Sequence, residues 1–201
     1  MKTIGLMGGS DYKSTIRYLE AINEQLNETC KSVAYTLNPK EMNTRDIIYY
    51  SDVLRQAGAS FLVLCEEKLH EISKDIRRNI SINLLHIGES LAEELIRQNI
   101  KKVLVLGSRE IMQADYYVHA LNRKGIKVAR PEIEVINRIQ DYLDSDEKDA
   151  VKLISIIESF RLKGVSGVVM TCDFEIDYDH LSMNVFDSFD IHIKSIIKEL
   201  K

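Results

Sequence analysis

Short apolar runs alternate with longer amphipathic stretches along the whole chain. Ile4-Gly5-Leu6-Met7 is apolar and passes at once into Gly8-Gly9-Ser10, which predicts a strand entering a turn. Ile16, Leu19, Ile22 and Leu26 follow at helical spacing, with Ser10 or Asp11 available as the cap. Val33 to Leu37 predicts a second strand, stopped by Asn38-Pro39. A helical stretch around Ile47 to Ala57 leads to Gly58. Phe61-Leu62-Val63-Leu64 is then a strand apolar on both faces, ending at Cys65.

The second half repeats this grammar. Val103 to Leu106 predicts a strand entering Gly107-Ser108, Met112 to Arg123 a helix, and Ile126 to Ala129 a strand. Val151 to Phe160 is helical, Gly164 punctuates, and Val168-Val169-Met170 runs into Thr171-Cys172. In each half a strand, a glycine loop and a helix come first, and a strand ending in cysteine comes last. Continuous apolar strands separated by helices indicate parallel strands covered on both faces. The pattern therefore predicts an α/β protein of two similar lobes with mainly parallel sheets flanked by helices and a cleft between them. The N-terminal lobe would take residues 1–101 plus a returning segment, 185–201; the C-terminal lobe would take 102–184.

The chain has 201 residues, 45% hydrophobic and 29% charged, which is a globular composition with enough length for two small cores. The formal net charge of −4 carries no electrostatic footprint for nucleic acid or an anionic membrane. No run approaches the roughly 18 apolar residues of a membrane span, and the N-terminus lacks a secretory pattern. Three cysteines are too few for a disulfide scaffold, so a cytoplasmic chain with reduced thiols is expected.

Open parallel sheets bind ligands outside the carboxyl ends of their strands. Gly8-Gly9, Gly107-Ser108, Cys65 and Cys172 all fall at such ends. One thiolate on each side of a carbon acid can take a proton from one face while the other thiol returns one to the opposite face. By spacing alone, Cys65 and Cys172 read more readily as small buried hydrophobes. Glu66 and His70, four apart, share a helix face, but no second ligand pair has metal spacing, so no metal is expected. Gly8-Gly9 lacks the following pattern of a phosphate loop.

Lys2 to Gly9 with Ser14-Thr15, the phrase Leu84-Leu85-His86-Ile87, Leu106-Gly107-Ser108 with Met112 and Tyr116-Tyr117, and Val185-Phe186-Asp187-Ser188 with His192 together resemble the aspartate/glutamate racemase superfamily. The resemblance covers nearly the whole chain in order. It implies two pseudo-symmetric α/β lobes, a two-base mechanism without pyridoxal phosphate or other cofactor, a small amino-acid or carboxylic-acid substrate, and a homodimer. Cys65 and Cys172 match the two catalytic thiols. Gly8, Gly9 and Thr15 match the first glycine loop and its helix start, and Ser10 lies in the same loop.

The motifs depart from the family around both cysteines. Cys65-Glu66-Glu67-Lys68 stands where Cys-Thr-Asn-Thr is usual, and Thr171-Cys172-Asp173-Phe174 where Gly-Cys-Thr-Glu is usual. Asp11, Glu66, Glu67 and Asp173 make the expected cleft acidic, which repels substrate carboxylates and weakens a thiol base. Glu66 to Lys68 also read as a solvated helix start. The expected function is a cofactor-independent amino-acid racemase preferring neutral or basic substrates, with Glu66, Glu67 and Asp173 at the substrate. A binding protein that lost turnover and a related lyase or isomerase are the alternatives.

Overall fold

The computed structural model describes residues 2–9 and 11–201, so Ser10 lies outside the described residues. The chain divides into two compact units, residues 1–90 with 192–201 and residues 91–191. Each contains a four-stranded, all-parallel sheet.

In the first unit β1 (Ile4–Gly8) and β3 (Phe61–Leu64) are buried at every position, as expected for central strands covered on both faces. β2 (Ser32–Thr36) alternates exposed and half-buried residues because it forms an edge. With β4 (Asn83–Leu85) the order is β2-β1-β3-β4. The connecting helices are α1 (Tyr12–Leu26), α2 (Thr44–Gln56) and α3 (Ser73–Asn79). Asp11 caps α1 by accepting from the Lys13 N–H at 2.8 Å, and Thr15, Tyr18 and Ile22 form its buried stripe. Asn43 caps α2 by accepting from the Asp46 N–H at 3.0 Å, and its side-chain amide donates to the Asp46 carboxylate at 2.8 Å.

The second unit repeats the topology. β5 (Lys102–Leu106), β6 (Lys127–Ala129), β7 (Gly167–Met170) and β8 (Asn184–Asp187) lie in the order β6-β5-β7-β8. α4 (Ile87–Arg97) precedes β5 and α9 (Ser188–Leu200) follows β8. The expected helix from Met112 to Arg123 is instead two, α5 (Arg109–Gln113) and α6 (Asp115–Asn122), because Ala114 is extended. Two further helices, α7 (Ile133–Asp144) and α8 (Ala150–Ser159), carry the apolar residues that cover the sheet, among them Ile136, Ile139, Leu153 and Ile157.

Two boundaries differ from the sequence expectation. Val185–Asp187, expected in the first lobe, forms β8 of the second sheet, paired Val168 to Val185 and Val169 to Phe186. Phe186 is buried there, its ring so close to Gly167 that a Cβ would meet it at 2.8 Å. The first unit ends at residue 90 rather than 101, within α4, whose Leu91, Ala92 and Leu95 are buried. Residues 192–201 group with the first unit.

That grouping is held by a buried polar cluster. His192 Nε2 donates to the Leu85 carbonyl at 3.3 Å, which leaves Nδ1 to accept from the Tyr18 hydroxyl at 2.9 Å. The His70 ring stands 4.6 Å from the His86 ring and 5.7 Å from that of His192. The Gly88 N–H donates to His86 Nδ1. Burial holds His192 at about 3 and keeps His70 well below the ordinary imidazole range, with the neighbouring rings adding to it. A folded value below the unfolded one means stability is full above about pH 6.5 and is lost as pH falls toward 3. Urea titrations between pH 7 and 4 should show stability falling by up to about 1.4 kcal/mol per pH unit for each such histidine. His192→Gln should be less stable at pH 7 yet show a flatter pH dependence.

Candidate active site

In both sheets the chain runs from a central strand to one edge, then crosses to the other side of that strand. The order therefore reverses between β1 and β3, and between β5 and β7, and the crevice outside their carboxyl ends is where such sheets take ligands. In the first unit that location holds Gly8, Gly9, Cys65, Glu66 and Thr15. In the second it holds Gly107, Ser108, Thr171 and Cys172.

β1 ends in, and β5 runs directly into, a glycine pressed by a threonine hydroxyl. A Cβ at Gly8 would collide with Thr15 Oγ1 and stand 3.1 Å from Thr36 Oγ1; one at Gly107 would collide with Thr171 Oγ1. Thr15 is buried, so its place is close packing against the loop. Gly9 has a different neighbour. A Cβ there would collide with the Glu66 carboxylate and lie 3.0 Å from Glu66 Cβ. Gly9 is absent from the left-handed backbone positions, so close approach of Glu66, not φ, accounts for glycine here.

The Cys65 N–H donates to the Met7 carbonyl at 2.8 Å, and its side chain is 5% exposed. Burial pushes this thiol far above the ordinary range, which favours the neutral form. Cys172 is half-buried. Near it stands Tyr178, whose hydroxyl is raised by burial first and then by Asp173, Asp187 and Cys172. Tyr178 escaped the sequence reading because seven residues of irregular chain separate it from β7.

Glu66 and Glu67 are half-buried and Lys68 is exposed, at the start of a 3-10 turn over Glu67–Ile72. Glu66 occupies the cap position, yet its side chain makes no capping hydrogen bond and lies on Gly9 instead. Asp173 is exposed, and its carboxylate accepts from the Glu175 N–H at 2.9 Å. Glu175 stands 3.8 Å from Lys148. Arg77 is engaged by both Glu89 oxygens at 2.7 Å and by the Leu84 carbonyl at 2.9 Å; Arg161 pairs with Glu158. Among the described residues, no three His, Cys, Asp or Glu side chains converge as a metal site requires, and no helix is long and apolar enough to cross a membrane.

This is a duplicated doubly wound α/β protein with a glycine-ended switch point in each unit. The family model for Asp/Glu/hydantoin racemases matches residues 4–195, and the chain belongs to that family. It is similar to an aspartate racemase homologue from Pyrococcus horikoshii OT3, at 26% identity and a TM-score of 0.89 over 100% of this chain and 99% of that one. The fold is shared with the aspartate racemase of Picrophilus torridus, at 17% identity and TM-score 0.69 over 100% and 94% of the two chains. It is also shared with the glutamate racemase of Aquifex pyrophilus, at 14% and 0.63 over 99% and 84%.

The exposure difference sets an order of thiol reactivity. Iodoacetamide at pH 8 should label Cys172 at least about tenfold faster than Cys65 or Cys30, by peptide mass mapping, because it is the more accessible thiol and burial favours the neutral form of the other two. Equal labelling of Cys65 and Cys172 would contradict the burial described here.

Proposed function

We propose that this protein racemises a small amino acid without an organic cofactor, moving the α-proton between one group of each unit. Cys172 serves the second unit and a side chain at the carboxyl end of β3 serves the first. The observation that carries this reading is the repeated switch point: each has a glycine-ended first strand beside a third strand running into proton-carrying side chains. Membership of the racemase family supports it. One group removes the α-proton, the substrate carboxylate delocalises the electron pair, and the second group returns a proton to the opposite face. The family resemblance supports a homodimer, and the low cysteine count supports a cytoplasmic setting.

The substrate class follows from charge. Glu66, Glu67 and Asp173 border the strand ends, while Arg77 and Arg161 are occupied by glutamates. A second substrate carboxylate facing one uncompensated carboxylate at 4 Å costs about 1–4 kcal/mol, or roughly five- to several-hundredfold in affinity. Neutral or basic amino acids should therefore exchange faster than aspartate.

Deuterium wash-in at the α-carbon in heavy water tests both statements with alanine, lysine and aspartate. Cys172→Ser should lower exchange by about a hundredfold or more. A clear preference for aspartate would show that these carboxylates do not face the substrate. The deep burial of Cys65 favours a second reading, a binding protein without turnover. It calls for thermal stabilisation by an amino acid with no exchange.

A further inference from the structure

The two sheets can be aligned on each other through their own hydrogen bonds. Met7 pairs with Leu64 across β1 and β3, and the next N–H, that of Cys65, donates to the Met7 carbonyl at 2.8 Å. Leu106 pairs with Met170 across β5 and β7, and the next N–H, that of Thr171, donates to the Leu106 carbonyl at 3.0 Å. Cys65 is thus the counterpart of Thr171, and the counterpart of Cys172 is Glu66. The two cysteines, similar in sequence context, are one register position apart.

Glu66 and Cys172 match in accessibility as well as in register: both are half-buried, whereas Cys65 is buried and its counterpart Thr171 half-buried. Glu66 lies over Gly9, the first-unit counterpart of Ser108, and that glycine leaves room for the glutamate side chain. Its carboxylate is released from the capping role its position offers. A side chain at the mouth of the strand, seated on a residue that spares it space, is placed to meet a ligand; a buried thiol is not.

We propose that the first unit's proton-transfer group is Glu66, not Cys65, so that the acid/base pair is Glu66 and Cys172. The proposal rests on the racemase reading above. In one direction the Glu66 carboxylate takes the α-proton and becomes a carboxylic acid. The C–H electron pair passes into the substrate carboxylate, and the Cys172 thiol protonates the other face, leaving a thiolate. The opposite enantiomer is handled by the reverse: Cys172 thiolate takes the proton and the Glu66 carboxylic acid gives one. The two protonation forms interconvert by proton exchange with water, so no cofactor or redox partner enters. Cys65 remains a small buried side chain closing the core under the loop.

The test uses the full chain and two independent readouts. In deuterium wash-in, Glu66→Gln, which keeps the size that Gly9 accommodates, should lose exchange by about a hundredfold, as removal of an acid/base group does. Glu66→Asp should retain part of it, and Cys65→Ser should stay near wild type. Loss in Cys65→Ser with exchange kept in Glu66→Gln overturns the proposal. The second readout needs no turnover: dibromobimane, which bridges neighbouring thiols, followed by peptide mapping. In a Cys65→Ser background, Glu66→Cys should give a bridge to Cys172, while the wild type should give no bridge between Cys65 and Cys172. A wild-type bridge, or no bridge in either protein, overturns the pairing. If the wild type exchanges no amino acid at all, the racemase reading falls, and the bridging result alone decides whether Glu66 and Cys172 are partners.

Discussion

Everything at the strand ends depends on the register of two central strand pairs. A parallel pair fixes which residue of the third strand stands opposite the terminal glycine of the first, and pleating turns successive side chains to opposite faces. Met7 opposite Leu64 and Leu106 opposite Met170 are therefore the anchoring contacts. One residue beyond each anchor, the side chain is Cys65 in one sheet and Thr171 in the other. Two residues beyond, it is Glu66 and Cys172. No loop can alter this assignment without breaking a ladder buried on both faces.

Burial then decides what those side chains can do. A thiol enclosed by hydrocarbon loses the solvation that a thiolate needs, so Cys65 is held neutral. A half-buried carboxylate keeps contact with water. Gly9 is the complementary feature: lacking Cβ, it lets the Glu66 side chain lie flat on the loop. The same economy appears at Gly8 and Gly107, where threonine hydroxyls fill the space a side chain would take. The glycines at these switch points serve close packing, and the identity of the neighbour distinguishes one unit from the other.

The first unit is completed by residues far away in sequence. α9 begins beyond β8 of the second sheet, and its His192 side chain reaches Tyr18 of α1 and the carbonyl ending β4. Neutral imidazole suits this junction because it donates with one nitrogen and accepts with the other, matching one carbonyl and one hydroxyl. The cost is sensitivity to acid, since a proton added to a buried ring removes the acceptor and places a charge in the core.

The alternation of apolar runs and amphipathic stretches determined the fold class, since doubly covered parallel strands admit no polar interruption. Phe61 to Leu64 and Val168 to Met170 were legible as central strands for that reason. The glycine loops and both strand-end cysteines were legible too, because each directly follows such a run. The family resemblance extended this over nearly the whole chain. Tertiary structure decided what a linear pattern does not encode. Val185–Asp187 joined the second sheet because β7 offered an open edge that Phe186 could cover, a partner choice invisible in the segment itself. Tyr178 came near Cys172 through irregular chain that has no period to read. Above all, Cys65 and Cys172 look equivalent in sequence and are not equivalent in space. Their offset by one position is fixed by hydrogen bonds to β1 and β5, and in a pleated strand one position turns a side chain to the opposite face.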